Sequence, residues 1–177
     1  MTGLAKKEVA SLPLYYFKRK EVLDMIQSFI NTITNLASNE ASVVFQRDCI
    51  RTNSCNGCRS WLCHNEGSAN YEIVEGGKYD AYVNMTISSA TGGVVAFALF
   101  NNGEIIPGTL MAETLAAAGD YANISAIKTI PVCCKGTSNI TLRAVPTVPT
   151  ATDPTAAPID TQVPIIASAN LIIDRRS

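Results

Sequence analysis

The sequence is poor in charge, and this limits the partners that it can attract. Only 16% of the 177 residues are charged, and 14 basic against 15 acidic side chains give a net charge of -1. Because a phosphate backbone or an anionic membrane attracts a basic surface, we expect neither nucleic acid nor a membrane as a partner. The hydrophobic content is 47%, which with so few charges is typical of a protein that buries surface in an assembly.

Long apolar runs are also missing. No segment is long enough to span a bilayer, and the first residues lack the apolar core of a secretory signal. We therefore expect the chain to be made and retained in a cytoplasm, and to be released by a route other than secretion.

The groups that catalysis needs are scarce as well. His64 is the only histidine, and its neighbour Cys63 lies in a predicted turn, where adjacent side chains usually diverge. The carboxylates are scattered, and no Gly-rich phosphate loop, G-x-S-x-G or H-E-x-x-H motif occurs. The sequence predicts that the protein is not an enzyme.

The cysteines are the sharpest chemical signal. They are Cys49, Cys55, Cys58, Cys63, Cys133 and Cys134. The Cys55-x-x-Cys58 spacing is that of a zinc knuckle, which Cys63 or Cys49, with or without His64, would complete as a structural zinc site. The match is partial because a second C-x-x-C is missing. Alternatively, the cysteines form late disulfides or remain thiols; each alternative predicts a structural role, and no other cofactor is expected.

The stretch from Tyr79 to Phe100 predicts the centre of the fold. Its first half alternates apolar and polar residues as far as Ser88, the period of a strand with one face in a core. Thr91-Gly92-Gly93 breaks the pattern, and we expect a hairpin. The second half is apolar on both faces and needs two covers, and we predict that neighbouring subunits supply the second. The candidate head-interface residues are Val94, Ala96, Ala98 and Phe100.

Further strands are predicted along the chain. They are 42–47, 104–107 after an Asn-Asn-Gly turn, 109–117, 122–132, 138–145 and 165–174. About eight short strands at regular spacing predict a mainly β jelly-roll sandwich. The Pro/Thr/Ala-rich run from Val145 to Pro164 is expected to be a surface loop that packs no core.

Three divisions of the chain are predicted: an anchoring peptide at 1–20, a helical stalk at 21–38 and a jelly-roll head at 39–177. The first contains an aromatic and basic patch typical of a peptide that docks on a partner; the alternative is that it packs on the protein's own helix. The anchor candidates are Leu12, Leu14, Tyr15, Tyr16, Phe17, Lys18 and Arg19.

The stalk is predicted from a heptad pattern. Its apolar seam has alternating spacings of four and three and consists of Val22, Ile26, Phe29, Ile33 and Leu36. Such a seam favours a short coiled coil that is stable only when tethered to a larger domain. The alternative is a single amphipathic helix that lies on the head.

Three segments between Gly76 and Asp174 resemble a known class of jelly roll. They read GGKYDAYVNMTIS, VVAFALFNNGEIIPGTLM and AAAGDYANISAIKTIPVCCKGTSNITLRAV, and a final strand reads ASANLII. The order of apolar strand, Asn-Gly turn, short strand and Pro-Gly is similar to the trimeric tumour-necrosis-factor-like (TNF-like) and complement-head-like jelly rolls of bacterial and bacteriophage surface proteins. The GDY-x-N-x-S segment followed by adjacent cysteines is most similar to small bacteriophage structural proteins, although an upstream cysteine of that pattern is missing here.

The resemblance implies a homotrimer that meets through apolar sheet faces. We expect a bacteriophage virion structural protein, a head fibre or capsid-decoration protein made in the host bacterial cytoplasm and anchored to the major capsid protein or another virion protein. Host or mucosal glycans are candidate ligands of the head, through the loop at 145–164. The alternatives are a bacterial surface or spore-coat adhesion module that binds glycan or protein, and a cytoplasmic zinc-binding regulator.

Overall fold

A computed structural model describes residues 25–51, 61–133, 136–149 and 157–176, without the side chains of residues 49–51. Within these ranges the chain forms strands and loops, and no helix long and apolar enough to cross a membrane is found there. The strands are β1 (Met25–Ile30), β2 (Thr34–Asn35), β3 (Arg47–Arg51), β4 (Leu62–Cys63), β5 (Tyr71–Ile73), β6 (Gly77–Ser89), β7 (Gly93–Asn101), β8 (Glu104–Ile105), β9 (Met111–Leu115), β10 (Ala122–Val132), β11 (Ser138–Ala144), β12 (Thr147–Val148), β13 (Ile159–Asp160) and β14 (Pro164–Arg176).

Two sheets pack face to face. Among the described residues, sheet A has the strand order β10-β6-β14-β1-β3, with β2 pairing beside β14. Sheet B has the order β4-β5-β11-β7-β8, with β9 pairing beside β7. The ladders in both sheets are antiparallel, and alternate residues of each strand point into one shared core. This two-sheet sandwich confirms the predicted mainly β fold.

Strands with clear alternation lie close to where the sequence predicts them. β10, β11 and β14 match the predicted ranges to within about two residues, apart from the extension of β14 to Arg176. The Asn-Asn-Gly turn also joins β7 to β8, with positive φ angles of 52° at Asn102 and 88° at Gly103. Two consecutive positive φ angles are the backbone of a tight hairpin turn, which Asn-Gly favours.

The predicted hairpin between Tyr79 and Phe100 is wrong. β6 and β7 lie in opposite sheets, because β6 pairs with β10 and β14 whereas β7 pairs with β8, β9 and β11. The turn at residues 90–92 carries the chain across the sandwich instead. A Gly-containing break between two apolar strands fits a crossing between sheets as well as a hairpin, so the turn residues alone do not decide the pairing.

The second apolar face of β7 is covered within the chain. Val145 and Val148 pack on Ala96 and Ala98, which are at most 1% exposed, and Val94 and Phe100 pack at the edge of this cluster. We call the covering residues 145–149 and 157–162 the strap. The prediction that Val94, Ala96, Ala98 and Phe100 meet neighbouring subunits is therefore corrected: the chain's own strap covers this face.

Backbone hydrogen bonds hold the strap against β7. The amide of Val145 donates to the carbonyl of Ala96 (3.0 Å), and the amide of Gln162 donates to that of Val94 (2.7 Å). The buried Thr161 hydroxyl donates to the carbonyl of Val145. The Pro-rich run was expected to pack no core, and that expectation is wrong for the strap at its two ends.

The predicted helical stalk is wrong from Met25 onward. Residues 25–30 form β1, which pairs with β14 on one side and β3 on the other, and Thr34–Asn35 forms β2. Of the predicted seam, Ile26 points into the core, Phe29 lies on the outer face of sheet A, and Ile33 is exposed between β1 and β2. Leu36 packs at the margin of the core. The head thus includes Met25, and Val22 and the anchor candidates of the first 20 residues lie outside the described residues.

Ser28 explains why the sequence of strand β1 has the spacing of a helix. β1 buries Ile26, Ser28 and Ile30, a strict alternation. A serine in the middle of three buried positions hides that alternation in the sequence, because serine is polar. It can be buried because its hydroxyl donates to Asp48, twenty residues away. What remains visible in the sequence is the spacing of Ile26, Phe29 and Ile33, which mimics a helix.

We predict that Ala96→Glu destabilises the fold rather than an assembly. The new carboxylate would lie beneath the two valines of the strap. Arg143 pairs directly with Ala98 and not with Ala96, so the carboxylate should lower the free energy of unfolding by about 3 to 5 kcal/mol. Urea unfolding followed by circular dichroism measures this. The matched control is Ala112→Glu, because Ala112 is exposed on β9 directly opposite Ala96, and its effect should stay within about 0.5 kcal/mol. If the variant unfolded like the unchanged chain but no longer formed an oligomer, the result would show instead that this face contacts a neighbouring subunit.

Candidate self-association surface

The outer face of sheet A carries an apolar row across three neighbouring strands. Ile127 of β10 pairs with Tyr82 of β6, and Tyr82 pairs with Ile172 of β14. Directly paired residues point to the same side of a sheet, so the three side chains form one continuous row. Ile127 is 71% exposed and Tyr82 is 37% exposed. Phe29 of β1 is half-buried and extends the apolar surface on the same face.

On one side of this row the residues are polar but uncharged, and on the other side Asp80 and Asp174 lie next to Tyr82 and Ile172. The uncharged residues are Gln27, Asn84, Thr86, Asn123, Ser125, Ser168 and Asn170. Neighbouring strands hydrogen-bond through them: the Gln27 amide donates to Asn170 Oδ1 (3.2 Å), and the Thr86 hydroxyl donates to Asn123 Oδ1 (2.8 Å). These bonds satisfy part of the polar side chains within the sheet, which lowers the cost of covering the face.

Charged side chains lie at the borders of this face. Asp80 and Arg176 face each other at one end, with 3.7 Å between Oδ2 and Nε, and exposed Arg47 lies on the edge strand β3. An uncharged centre with a charged border is the composition of a protein interface, since charges are depleted where water is excluded. We call the face formed by these rows of β1, β6, β10 and β14 the association face.

The sequence contained a signal for this face that the prediction did not use. Tyr82 occupies a polar phase of the alternation in β6, and Ile127 points outward although Ile124 and Ile130 of the same strand are buried. An aromatic and an aliphatic residue on the solvent phase of two strands indicate a second cover. The pairing of β6 with β10, which puts them side by side, could not be obtained from periodicity.

The predicted cysteine cluster is described only in part. Cys55, Cys58 and Cys134 lie outside the described residues, and the side chain of Cys49 is not described. Cys63 is half-buried at the end of β4 in sheet B. Cys133 is exposed directly after β10 of sheet A. Within the described ranges no three His, Cys, Asp or Glu side chains converge on a metal position. Disulfide pairing and a structural zinc ion at these cysteines therefore stay predictions.

His64 belongs to a buried polar cluster rather than to a thiol site. Its Nδ1 lies 3.1 Å from Asp48 Oδ2, and its Nε2 lies 3.2 Å from the carbonyl oxygen of Ser68. The imidazole stacks on Tyr71 with 3.9 Å between ring centres and 4° between planes. The hydroxyl of buried Ser28 donates to the other oxygen of Asp48. The cluster joins β1, β3 and the loop after β4.

The cluster holds the imidazole in a fixed orientation. Each ring nitrogen has a hydrogen-bond partner inside the fold, Nδ1 with the Asp48 carboxylate and Nε2 with the Ser68 carbonyl. Neither ring nitrogen is open to a nucleophile outside the cluster. The His64 and Asp48 side chains are at most 1% exposed, and water or substrate does not reach them. The arrangement suits a structural role.

The path of the chain is similar to that of solved structures from TNF and complement proteins. Similar solved structures are the globular domain of zebrafish complement 1qA protein (TM-score 0.52, 10% identity, covering 88% of this chain and 98% of that one) and an Eiger TNF from S. frugiperda (0.53, 6%, 86% and 92%). Murine APRIL is a third (0.51, 11%, 85% and 97%). No protein-family model and no curated protein sequence matches the chain.

These similarities establish the fold. The chain is a TNF-like and complement-head-like jelly roll along nearly its whole described length, as the sequence resemblance implied. At 6 to 11% identity the likeness extends to the path of the chain and not to the role of any residue.

We predict that Asp48→Ala lowers the stability of the fold. The substitution leaves the buried Ser28 hydroxyl and one nitrogen of His64 without their acceptor, which should cost about 2 to 4 kcal/mol in the free energy of unfolding. Urea unfolding measures the loss. Glu113→Ala is the matched control, because Glu113 is an exposed carboxylate in the middle of β9 and its removal should change stability by less than about 0.5 kcal/mol. Equal effects of the two substitutions would contradict the structural role of the cluster.

Proposed function

We propose that the protein is a structural component of a bacteriophage virion, a homotrimeric head fibre or capsid-decoration protein. Its jelly-roll head associates through the association face, and its first 20 residues anchor the trimer to the major capsid protein or another virion protein. The observation that carries the proposal is the apolar row of Ile127, Tyr82 and Ile172, in which Ile127 and Tyr82 are exposed and uncharged polar residues lie along one side.

The association face supports assembly on energetic grounds. A β-strand that exposes most of an isoleucine next to a tyrosine leaves apolar area in water, and covering that area gains about 25 cal/mol per Å². A single copy has no further segment among its described residues that covers this row, whereas the second face of β7 is covered by the strap. A second copy of the chain is always present in solution and can cover this apolar row.

The number three and the virion rest on the sequence resemblance. The segments from Gly76 to Asp174 resemble the trimeric jelly rolls of bacterial and bacteriophage surface proteins. The GDY-x-N-x-S segment followed by adjacent cysteines is most similar to small bacteriophage structural proteins, and the low charge suits a component that is buried in an assembly. A contact in which the association face of each copy meets a different surface of the next copy forms a closed ring of three when the rotation between copies is one third of a turn. Three anchor peptides on one trimer then bind a threefold capsid site with avidity, although each alone is weak.

Ile127→Lys should convert the trimer into monomers. A lysine in the exposed apolar row places a charge at the centre of the interface, and removal of such a central residue typically weakens association by about tenfold or more. Light scattering coupled to size-exclusion chromatography measures the mass across a dilution series. Ile105→Lys is the matched control, because Ile105 is 45% exposed on β8 of the other sheet, and it should leave the mass unchanged.

Two results would contradict this assignment of the face. One is a wild-type chain that is monomeric at every concentration, and the other is an Ile127→Lys variant that remains trimeric while Ile105→Lys dissociates. The second result would place the contact on sheet B instead.

Deleting residues 1–20 should abolish incorporation into particles but leave the trimer intact. The deletion removes the seven anchor candidates and ends before β1 begins at Met25. Particles grown with the truncated gene are purified and their protein content is compared by mass spectrometry with particles that carry the full chain, while light scattering reports the mass of the purified truncated protein. Normal incorporation would contradict the anchor, and the same protein found on a bacterial surface or spore coat would favour an adhesion module.

A further inference from the structure

A second functional surface lies on the outer face of sheet B. Along β11, Asn139, Thr141 and Arg143 occupy every second position, and the residues between them point into the core. The alternation thus aligns an amide, a hydroxyl and a guanidinium on one side of a rigid central strand. None of these side chains takes part in the association face, which is on the other sheet.

The three side chains line a pocket of about 420 Å³. Its other walls come from Ser42, Asn70, Asn102 and Gly103, which belong to three separate segments of the chain. The rim is fixed by the tight turn, since Asn102 Oδ1 accepts the amide of Asn139 (2.9 Å) and the Asn102 amide donates to the carbonyl of Asn139 (3.0 Å). The volume is in the range of small-molecule sites.

Two polar atoms of this pocket are buried without a partner among the described residues. They are Asn139 Oδ1 and Arg143 Nε. Buried polar atoms are nearly always hydrogen-bonded in folded proteins, because an unmade bond costs about 1 to 3 kcal/mol. Both atoms have almost no accessible surface, so a ligand in the pocket contacts the other atoms of these two side chains.

The guanidinium of Arg143 lies over a neighbouring aromatic ring. Its guanidinium carbon lies 5.2 Å from the centre of the Phe100 ring, a cation-π contact that orients the planar group. Arg143 forms no ion pair with any described carboxylate. The pocket lining contains no acidic side chain, so Arg143 gives it a net positive charge.

The lining selects the chemistry of the ligand. A guanidinium without a carboxylate partner favours a carboxylate, which it binds through two parallel hydrogen bonds. Asn70, Asn102, Asn139, Thr141 and Ser42 supply groups that both donate and accept. Sugar hydroxyls also donate and accept, so this polar lining matches a polyhydroxylated ring better than an apolar or purely anionic ligand.

We propose that this pocket binds a carboxylate-bearing sugar, a hexuronate or a sialate, with Arg143 on the carboxylate and Asn139, Thr141 and Ser42 on ring hydroxyls. The proposal deepens the proposed role of a displayed head by giving it a ligand class. It moves glycan binding from the loop at 145–164 to the face of β11. Binding can be measured whatever the oligomeric state, because the pocket and the association face lie on different sheets.

The proposal is tested by titrating the full chain with D-glucuronate and with N-acetylneuraminate. Calorimetry and ligand-detected NMR measure the binding. We expect saturable binding of at least one acid sugar, and the pair distinguishes a hexuronate pocket from a sialate pocket. Glucose and acetate are the ligand controls, and each should bind about tenfold or more weakly, since glucose lacks the carboxylate and acetate lacks the ring.

Two variants of the pocket should remove binding without unfolding the chain. Arg143→Gln removes the cation, and we expect binding about 10 to 100-fold weaker. Asn139→Asp is nearly isosteric and adds a carboxylate to the lining of the pocket, which should weaken the binding of an acid sugar by charge repulsion. Arg47→Gln is the matched control, because Arg47 is an exposed arginine of sheet A, and its affinity should equal that of the unchanged chain.

Several outcomes would overturn the proposal. They are no saturable binding of either acid sugar, equal affinity for glucose, equal affinity for acetate, or unchanged affinity of a folded Arg143→Gln variant. Light scattering on the same samples separates the two proposals: a trimer that binds no acid sugar overturns the pocket alone, and a monomer that binds one overturns the assembly alone.

Discussion

The structure depends on covering both faces of β7. One face, with Val95, Phe97 and Leu99, forms part of the core between the sheets, and the opposite face carries Ala96 and Ala98. Val145 continues the β11–β7 ladder beyond Ala144, and Gln162 adds a further backbone bond to Val94. The strap is thus held beside the strand, while Val145 and Val148 pack on the small residues of its second face. A long Pro/Thr/Ala-rich run is therefore a structural element at its ends, and the sandwich has a third layer over part of sheet B.

This third layer divides the surface of the head into areas with different properties. Where the strap lies, sheet B is closed, and beyond the strap the same sheet exposes the polar pocket beside Arg143. Sheet A has no such layer among the described residues, and its outer face keeps Ile127 and Tyr82 in solvent. An apolar row with uncharged polar residues along one side suits contact between copies, and a polar pocket with one cation suits a small hydrophilic ligand. The proposed association face and the proposed pocket therefore lie on opposite sheets.

The sequence predicts strands far better than it predicts their partners. Periodicity located β6, β10, β11 and β14, and the Asn-Gly pair located the turn at Asn102, because these signals are local. Pairing is not local: β6 and β7 are adjacent in the chain and lie in opposite sheets, and β7 is paired with β11. The same limit explains the candidate site, since Tyr82 and Ile127 are 45 positions apart and are neighbours only through the register of β6 with β10. The double apolar character of β7 predicted a second cover correctly, but composition could not tell a subunit from the chain's own strap.

The buried cluster of Ser28, Asp48 and His64 links the core to the association face. Sliding β1 by one residue along β14 would turn Phe29 inward and Ser28 outward, and the hydroxyl of Ser28 would lose the carboxylate of Asp48. An apolar residue at position 28 would pack equally well but would not favour one register of β1 over another. A hydrogen bond to a buried carboxylate is made in one register only. Fixing this register keeps Gln27 in hydrogen-bond contact with Asn170 and keeps Phe29 next to the apolar row. A polar group at the centre of β1 thus sets the composition of a surface on the opposite side of the same strand, and it does so at the position whose polarity conceals the strand in the sequence.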